Sequence, residues 1–196
     1  MKKLALTALL GFVSTAAFAA PVGQTFTGFG AGVDITSTKY KESGISSKRA
    51  TGFGLVADYG FDYGNNLVGL VEGKLKLNTS TLIEHKTANY QRKISEQWRL
   101  NVSYLQGYRV LPDLLPYVKV SYVAAKFKGE ESTSSANHSY SLSKTETGSG
   151  LGLGLGVKYA VSTNFEVGAE YLRTRTKFDS VKINGNTFGA NLTYRF

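Results

Sequence analysis

Apolar residues recur at every second position in eight stretches of the chain, and this period constrains the fold more than any other feature. The stretches begin at Phe29, Phe53, Leu67, Trp98, Val118, Leu151, Phe165 and Phe188. The apolar rows contain no charged residue, while the positions between them carry glycine, hydroxyl, amide and charged side chains. Because successive side chains of a β-strand point to opposite faces, each stretch predicts a strand with one apolar and one polar face. The chain is therefore predicted to be all-β.

The positions of the aromatic residues and of the loops distinguish a membrane barrel from a soluble sandwich, which would alternate as well. Aromatic residues lie mainly at the ends of the apolar rows, where the strands of a membrane barrel meet the interface. Short connections (62–66, 111–115, 160–164) alternate with long ones (36–49, 78–94, 129–146, 174–185). Short periplasmic turns and long polar outer loops are typical of outer-membrane proteins. The sequence predicts an eight-stranded antiparallel up-and-down transmembrane β-barrel over residues 20–196, with four long extracellular loops.

The first 19 residues are expected to be a signal peptide. Lys2 and Lys3 precede the apolar run 4–13, and Ala-Phe-Ala at 17–19 supplies the small residues that a signal peptidase reads. A membrane anchor is the alternative, but the run is shorter than the ~20 residues that a spanning helix needs. Export followed by barrel formation places the protein in the bacterial outer membrane.

Glycine alternates with leucine in the run GSGLGLGLGVKY at 148–159. A phosphate-binding G-x-G-x-x-G loop would need glycine where Leu153 stands and a helix after it, and no helical pattern follows. Alternation instead assigns the leucines to the lipid face and the glycines to the lumen. Since an eight-stranded barrel has room inside for little more than its own side chains, we expect the glycines to leave space for long side chains from other strands.

The polar faces predict a charged lumen. Alternation assigns to it Asp58, Glu72, Lys74, Lys76, Arg99, Arg109, Lys119, Lys158, Glu166, Glu170 and Arg195. Enclosed charges should be paired or hydrated, so we expect Glu72 and Glu170 near Lys74 and Arg99. We expect the remaining acids, Asp58 and Glu166, near Arg109, Lys119, Lys158 and Arg195. Two interpretations remain open: an ion-pair network that fills and stiffens the barrel, and a narrow ion path whose positive excess favours anions.

Chemistry at a catalytic centre is not expected. The chain has no cysteine, which excludes disulfides and thiolate catalysis. His85 and His138 are both expected in long polar loops. The segment 137–141 invites comparison with lipid-modifying barrels, but a loop histidine without a positioned partner does not make a catalytic set. No carboxylate lies at a metal-ligand spacing from either histidine. We expect no enzymatic activity, no metal and no cofactor.

The second half of the chain resembles a known family. The runs GLGLGLGVKYAVSTNFEVGAEYLRTRTKF and GNTFGANLTYRF are similar to the last hairpins of the opacity-protein family of outer-membrane barrels, and GYRVLPDLLPYVKVSY resembles its central periplasmic turn. The terminal Tyr-Arg-Phe, ending at Phe196, resembles the signal that the outer-membrane assembly machinery reads. The resemblance implies an eight-stranded outer-membrane barrel whose surface loops act in adhesion or host-factor binding.

Basic residues are concentrated in the first and last of the long segments. They are Lys39, Lys41, Lys48, Arg49, Arg173, Arg175, Lys177 and Lys182. One interpretation is that these residues pair with lipopolysaccharide phosphates in the outer membrane. The other is a single patch for anionic glycans, which supports adhesion or host-factor interaction as the function; a small passive pore is the alternative. Expected partners are the outer membrane and its lipopolysaccharide, the assembly machinery, and a host glycan or protein ligand; no nucleic acid is expected.

Overall fold

The computed structural model describes residues 25–41, 49–87, 90–135, 138–178 and 181–196, which contain nine antiparallel β-strands. The strands are β1 (Gly28–Lys41), β2 (Arg49–Gly64), β3 (Leu67–Lys76), β4 (Ser80–Thr87), β5 (Tyr90–Tyr108), β6 (Leu114–Ser135), β7 (His138–Ala160), β8 (Phe165–Phe178) and β9 (Val181–Arg195). Within these residues, no helix is long and apolar enough to cross a membrane. The expected signal peptide, 1–19, lies outside the described residues.

Eight of these strands close into one ring, which confirms the predicted barrel. Strands that are consecutive in the chain pair with each other except β3 and β4; β3 pairs with β5 instead, and β9 pairs with β1. The remaining strand, β4, continues β3 along the upper part of β5. The interruption lies at Asn78, whose side-chain oxygen accepts from the Phe53 amide (2.7 Å) and whose side-chain nitrogen donates to the Thr51 carbonyl (2.9 Å). These bonds replace ladder bonds where the strand is broken.

The strands extend far into the segments that were expected to be loops, so the predicted boundaries 36–49, 78–94, 129–146 and 174–185 are wrong for the described residues. β1 continues to Lys41, and the β6–β7 hairpin pairs as far as Ser135 and His138. Beyond the membrane both faces of a strand meet water, so polar residues occupy both faces. The period-two signal then disappears although the backbone ladder continues.

The outer surface is apolar and the inner surface polar, as alternation predicts. Leu151, Leu153 and Leu155 on β7 point outward, with Leu153 68% exposed. At the end with the short turns, which barrel architecture places in the periplasm, outward aromatic rings contact one another. The ring centroids of Phe29 and Phe196 are 5.6 Å apart, and the Phe196 amide donates to the Phe29 carbonyl at 3.0 Å. The last residue thus joins the aromatic girdle where the barrel closes.

The glycines of β7 leave room for side chains of neighbouring strands. A Cβ at Gly156 would lie 2.5 Å from the ring of Tyr117 on β6, so this tyrosine lies across the glycine. Its hydroxyl then reaches inward and donates to the Glu170 carboxylate at 3.2 Å. The alternation of glycine and leucine therefore gives β7 an apolar outer face and an inner face that leaves space for the Tyr117 side chain.

Candidate functional site

The lumen contains twelve buried charged side chains among the described residues, six acidic and six basic. They are Asp34, Asp58, Glu72, Glu96, Glu166, Glu170, Lys74, Lys76, Arg99, Lys119, Lys158 and Arg195. The expected excess of positive charge is therefore wrong for this part of the chain. The sequence interpretation omitted two of the acids, Asp34 and Glu96, and assigned Arg109 to the lumen.

Each omission has a different cause. Asp34 follows the period of β1, between the outward Val33 and Ile35, and alternation alone would have found it. Glu96 has the same parity as the outward Leu100, and alternation would therefore place it outside. A register shift between Glu96 and Trp98 reverses the parity of β5 at this point, and Glu96 is fully buried. No pattern in the sequence marks that bulge.

Four of the charges form a cluster near the periplasmic end. Lys158 donates to Asp58 (Nζ–Oδ2, 2.8 Å), and Arg195 also donates to Asp58. The Arg195 guanidinium binds Glu166 through two parallel hydrogen bonds, Nε–Oε1 at 2.9 Å and Nη2–Oε2 at 2.6 Å. Two acids and two bases balance each other, and the bidentate geometry is the strongest form of such a pair. Arg195 also donates to the Gly28 carbonyl (3.0 Å).

A second cluster lies in the middle of the lumen. Glu170 accepts from Lys74 (2.8 Å) and from Lys119 (2.9 Å), one lysine on each carboxylate oxygen. Lys119 also donates to Glu72 at 2.6 Å, and Lys74 to Asp34 at 2.8 Å. Each lysine therefore bridges two carboxylates, and all five side chains are at least nine-tenths buried. The arrangement joins β1, β3, β6 and β8 through charges alone.

The third cluster surrounds Glu96 toward the extracellular end. Lys76 donates to it at 2.8 Å, and the Arg99 guanidinium donates at 2.7 Å and 2.9 Å. Arg99 also donates to the hydroxyls of Tyr40 and Thr38, the latter at 3.1 Å. Arg99 therefore pairs with the acid missed by alternation, and not with Glu72 or Glu170.

Arg109 lies at the periplasmic rim and not in the lumen. Its guanidinium donates to Asp62 (Nη1–Oδ2, 3.0 Å) and to the Thr25 carbonyl (2.9 Å). Asp62 lies near the end of β2, beside the short turn outside the membrane, where the Gly64 amide and Arg109 hold the pKa of its carboxyl below the ordinary value of 3.8. Alternation predicts the face of the strand on which a residue lies but not its position along the barrel axis. For this reason the prediction that Arg109 lies in the lumen is wrong.

An apolar cluster fills the lumen at its periplasmic end. Its members are Phe26, Val68, Leu70, Leu105, Leu115, Tyr117 and Ala160. All are inward residues near the short turns, except Phe26, which precedes β1. The inner surface is therefore charged along most of its height and apolar at one mouth.

Exposed cations form a continuous surface on the outer wall. Lys39 on β1 lies opposite Arg49 on β2 and opposite Asn186 on β9, and Asn186 lies opposite Arg173 on β8. Arg175 follows on β8 in the extracellular direction. We call the exposed residues Lys39, Arg49, Arg173, Arg175 and Lys177 the basic face. These residues lie on strands, whereas the sequence placed them in loops.

The remaining basic residues of the predicted patch are described only in part. The backbone of Lys41 pairs with Asn184 on β9, and that of Lys182 pairs with Lys177 on β8. Lys48 lies outside the described residues.

The surroundings of the basic face contain no compensating acid in the described parts of β1, β2, β8 and β9. The acidic side chains of these strands are Asp34, Asp58, Glu166 and Glu170, all in the lumen, and Asp62 at the periplasmic turn. Directly below Arg173, the outward rings of Tyr171 and Phe188 contact each other in a tilted arrangement, with their centroids 5.0 Å apart. The Tyr171 hydroxyl donates to Asn186 at 2.8 Å. Such aromatic residues mark the membrane interface, so the basic face begins there and continues outward.

The two histidines lie on strands and not in loops. His85 belongs to β4 and pairs with Arg92, and His138 begins β7 and pairs with Ser135. Asn137, the first residue of the compared segment 137–141, lies outside the described residues. Within the described part of the chain, no group of three or more His, Asp or Glu side chains is arranged to hold a metal ion.

Comparison with known proteins gives the same architecture. The solved structure of Ail, the attachment invasion locus protein of Yersinia pestis, is 22% identical, covers 85% of this chain and 99% of its own, and has a TM-score of 0.50. Neisserial surface protein A is 22% identical, with coverages of 87% and 98% and a TM-score of 0.51. Ail in complex with the heparin analogue sucrose octasulfate is 20% identical, with coverages of 85% and 99% and a TM-score of 0.51.

Sequence comparison gives the family. No curated protein matches the chain significantly. The family model described as "Outer membrane protein beta-barrel domain" matches residues 5–196, which is nearly the whole chain. With the closed barrel and its apolar outer surface, this match places the protein in the bacterial outer membrane, and the chain belongs to the outer membrane protein beta-barrel domain family.

Proposed function

We propose that the protein is an adhesion or interaction barrel of the cell surface that binds sulfated or phosphorylated glycans through the basic face. The observation that carries this proposal is the segregation of charge between the two sides of the wall. Five exposed cations share one outer surface, while the acids of the same described strands face the lumen or the periplasm. A surface of one sign attracts ligands of the opposite sign and increases their rate of association.

The spacing of the cations fits an extended anionic chain. Adjacent strands lie about 4.8 Å apart, and successive outward residues of one strand about 6.8 Å apart. Arg173, Arg175 and Lys177 therefore form a column that rises about 14 Å along β8, beside the row formed by Lys39 and Arg49. A polymer with repeating sulfate or phosphate groups can contact several of these cations at once.

The anionic groups can come from two sources with the same chemistry. The row formed by Lys39 and Arg49 lies at the membrane interface, where lipopolysaccharide phosphates are found. Arg175 and Lys177 lie farther from the membrane. A soluble sulfated glycan would use the whole column. Ail has been solved with the heparin analogue sucrose octasulfate, which makes that compound a suitable first probe for this chain.

The experiment compares two triple variants of the folded protein in lipid nanodiscs. In the first, Lys39→Gln, Arg173→Gln and Arg175→Gln remove three charges from the basic face. We expect binding of sucrose octasulfate or a heparin oligosaccharide to weaken by about tenfold or more. Binding to the unmodified protein should decrease with salt, because exposed charges are screened beyond ~8 Å at physiological ionic strength.

The control variant carries Lys126→Gln, Lys128→Gln and Lys144→Gln, which remove the same charge from β6 and β7. It should retain binding of the sulfated probe. A second series uses nanodiscs that contain lipopolysaccharide: loss of lipopolysaccharide association alone would assign the basic face to the membrane. Equal losses of sulfated-probe binding in both variants, or binding that is independent of salt, would contradict the proposal.

The alternative of a small passive pore receives less support from the described residues. Ion pairs join opposite walls of the lumen, and seven apolar side chains fill its periplasmic end. The balance of six acids and six bases gives no basis for anion preference. A non-enzymatic role follows from the same proposal. Single-channel recording of the refolded protein distinguishes the two functions, since a pore gives reproducible, long-lived openings.

A further inference from the structure

Residues 25–27, which we call the N-terminal strap, lie at the periplasmic mouth of the barrel. The Thr25 hydroxyl donates to the Pro112 carbonyl (2.5 Å), in the turn between β5 and β6. Arg109 donates to the Thr25 carbonyl (2.9 Å) and is held in turn by Asp62. The strap, which precedes β1, is therefore bonded directly to the β5–β6 turn and is linked through Arg109 to Asp62 near the end of β2.

The central residue of the strap has an unfavourable backbone conformation. Phe26 has a φ of 68°, in the left-handed region that bulky residues rarely adopt. Its side chain is fully buried, although it precedes the first strand. A conformation of this kind persists only where the surrounding contacts fix it, and it often marks a position with a role of its own.

The walls of the barrel are shaped to receive the strap. A Cβ at Gly60 on β2 would lie 1.9 Å from the Phe26 carbonyl oxygen, so only glycine allows this approach. The apolar partners of Phe26 come from three other walls: Leu70 from β3, Leu105 from β5 and Leu115 from β6. Phe26 therefore belongs to a buried apolar cluster whose other members all lie on the strands.

The balanced cluster of Asp58, Glu166, Lys158 and Arg195 lies directly above this apolar cluster. Asp58 lies two residues before Gly60 on the inner face of β2. Arg195 donates to the carbonyl of Gly28, which lies two residues after Phe26. Charge pairs of this kind are stronger where water is excluded. Exclusion of water at this end of the lumen would therefore strengthen these pairs.

We propose that the N-terminal strap closes the periplasmic mouth of the barrel, with the Phe26 side chain as the closing group. Displacement of the strap admits water and small solutes to the lower lumen. Arg109 holds the strap closed by bonding both to its backbone and to Asp62 near the end of β2. This device is independent of the basic face at the other end of the molecule.

The absence of cysteine from the chain makes the test direct, because one introduced thiol is unique. Ala160→Cys places a thiol within the apolar cluster. In folded protein with Phe26 intact, a small water-soluble methanethiosulfonate reagent should modify this thiol slowly. Adding Phe26→Ala should accelerate modification by about tenfold or more, because labelling follows the population of states in which the thiol meets water. Phe26→Leu, which keeps an apolar side chain, should accelerate it far less.

Heat-modifiable gel mobility establishes that each variant is folded. Slow modification in folded Phe26→Ala protein would overturn the proposal. If Phe26→Ala does not fold, Arg109→Gln decides the question, because it releases the strap without changing the apolar cluster. Faster modification than in Lys126→Gln, which removes a charge from the outer wall of β6, supports the strap, and equal rates would refute it.

Discussion

Lys158 on β7 donates to Asp58 on β2 across the full width of the barrel, with 2.8 Å between Nζ and Oδ2. The two strands are four steps apart in a ring of eight, so they form opposite walls. Lys74 on β3 and Glu170 on β8 make a second such crossing, also at 2.8 Å. Ion pairs therefore occupy the diameter of the lumen and fix the distance between walls that share no backbone hydrogen bonds.

Neutralising Glu170 should destabilise the barrel strongly. Glu170→Gln leaves Lys74 and Lys119 each with one carboxylate fewer in a buried site. Lys74 keeps Asp34 and Lys119 keeps Glu72, so the cost is that of the lost charge-assisted hydrogen bonds, about 1.5–3 kcal/mol of unfolding free energy. The measurement is urea unfolding of the refolded protein in micelles, followed by the fluorescence of Trp98, the single tryptophan.

The matched control for Glu170 is the exposed pair of Lys128 and Glu130, 2.6 Å apart near the extracellular end. Glu130→Gln should change the unfolding free energy very little, because solvent-exposed pairs contribute little. Similar unfolding midpoints for the Glu170 and Glu130 variants would show that the bonds of Glu170 to Lys74 and Lys119 contribute no more than an exposed pair does.

A charged residue on the lipid face of β7 should impair barrel formation, whereas a serine on its lumen face should be tolerated. Leu153→Arg places a guanidinium on the membrane surface of β7 and should cost about 2–4 kcal/mol. Gly152→Ser is the inward control, because its Cβ would meet the side-chain ends of Leu172 and Thr174 at 3.0 Å and a backbone atom, the Arg173 carbonyl oxygen, at 3.4 Å. Gly154 is less suitable, since a Cβ there would lie 2.6 Å from the Tyr171 carbonyl. The yield of heat-modifiable barrel in lipid vesicles measures both effects, and equal yields would contradict the assignment of faces.

A methyl group at Gly156 should disturb the lumen through Tyr117. Gly156→Ala would place a Cβ 2.5 Å from the Tyr117 ring and 2.6 Å from the Ala169 carbonyl, so the ring must move from Glu170. Overpacking of this kind costs about 1–3 kcal/mol, measured by urea unfolding. Gly73→Ala is the control, because the nearest atom is 4.0 Å away. A variant of Gly156 as stable as that of Gly73 would show that Tyr117 is not fixed by the glycine.

The contribution of Asp62 to stability should depend on pH. Because the pKa of Asp62 is lowered by folding, its contribution is complete above the ordinary value of 3.8 and is lost as pH decreases through the folded value. The difference in unfolding free energy between the wild type and Asp62→Asn should therefore be constant from about pH 7 to 5 and decrease toward about pH 3. A difference that does not change over this range would mean that the bonds from Gly64 and Arg109 do not stabilise the ionised form.

Sequence alone predicts the parts of this molecule that depend on strand period. The eight rows give the barrel, the lipid face of β7 and the inward direction of Lys158 or Glu170, because a membrane allows only one polar side. The period does not predict which charged side chains pair across the lumen. Those pairs depend on the stagger between strands and on the position of each residue along the barrel axis. Glu96 is the clearest example, because a bulge of one residue reverses its face.

The remaining features leave weaker traces in the sequence. Strand length beyond the membrane is not encoded by alternation, as the extension of β1 to Lys41 shows. Nor does Phe26 belong to a periodic row, because its burial depends on a left-handed turn and on Gly60. In each case a local backbone choice, and not a hydrophobic pattern, determines where the side chain lies.

The equal numbers of acids and bases in the lumen also determine the net charge that the molecule presents to its surroundings. The twelve buried charges cancel, so the formal net charge of +9 belongs to the remaining residues, in which basic groups outnumber acidic ones by a larger ratio than in the whole chain. Folding therefore makes the accessible part of the protein more cationic in character than its composition suggests. Its electrophoretic mobility in uncharged micelles should accordingly remain cathodic well above neutral pH.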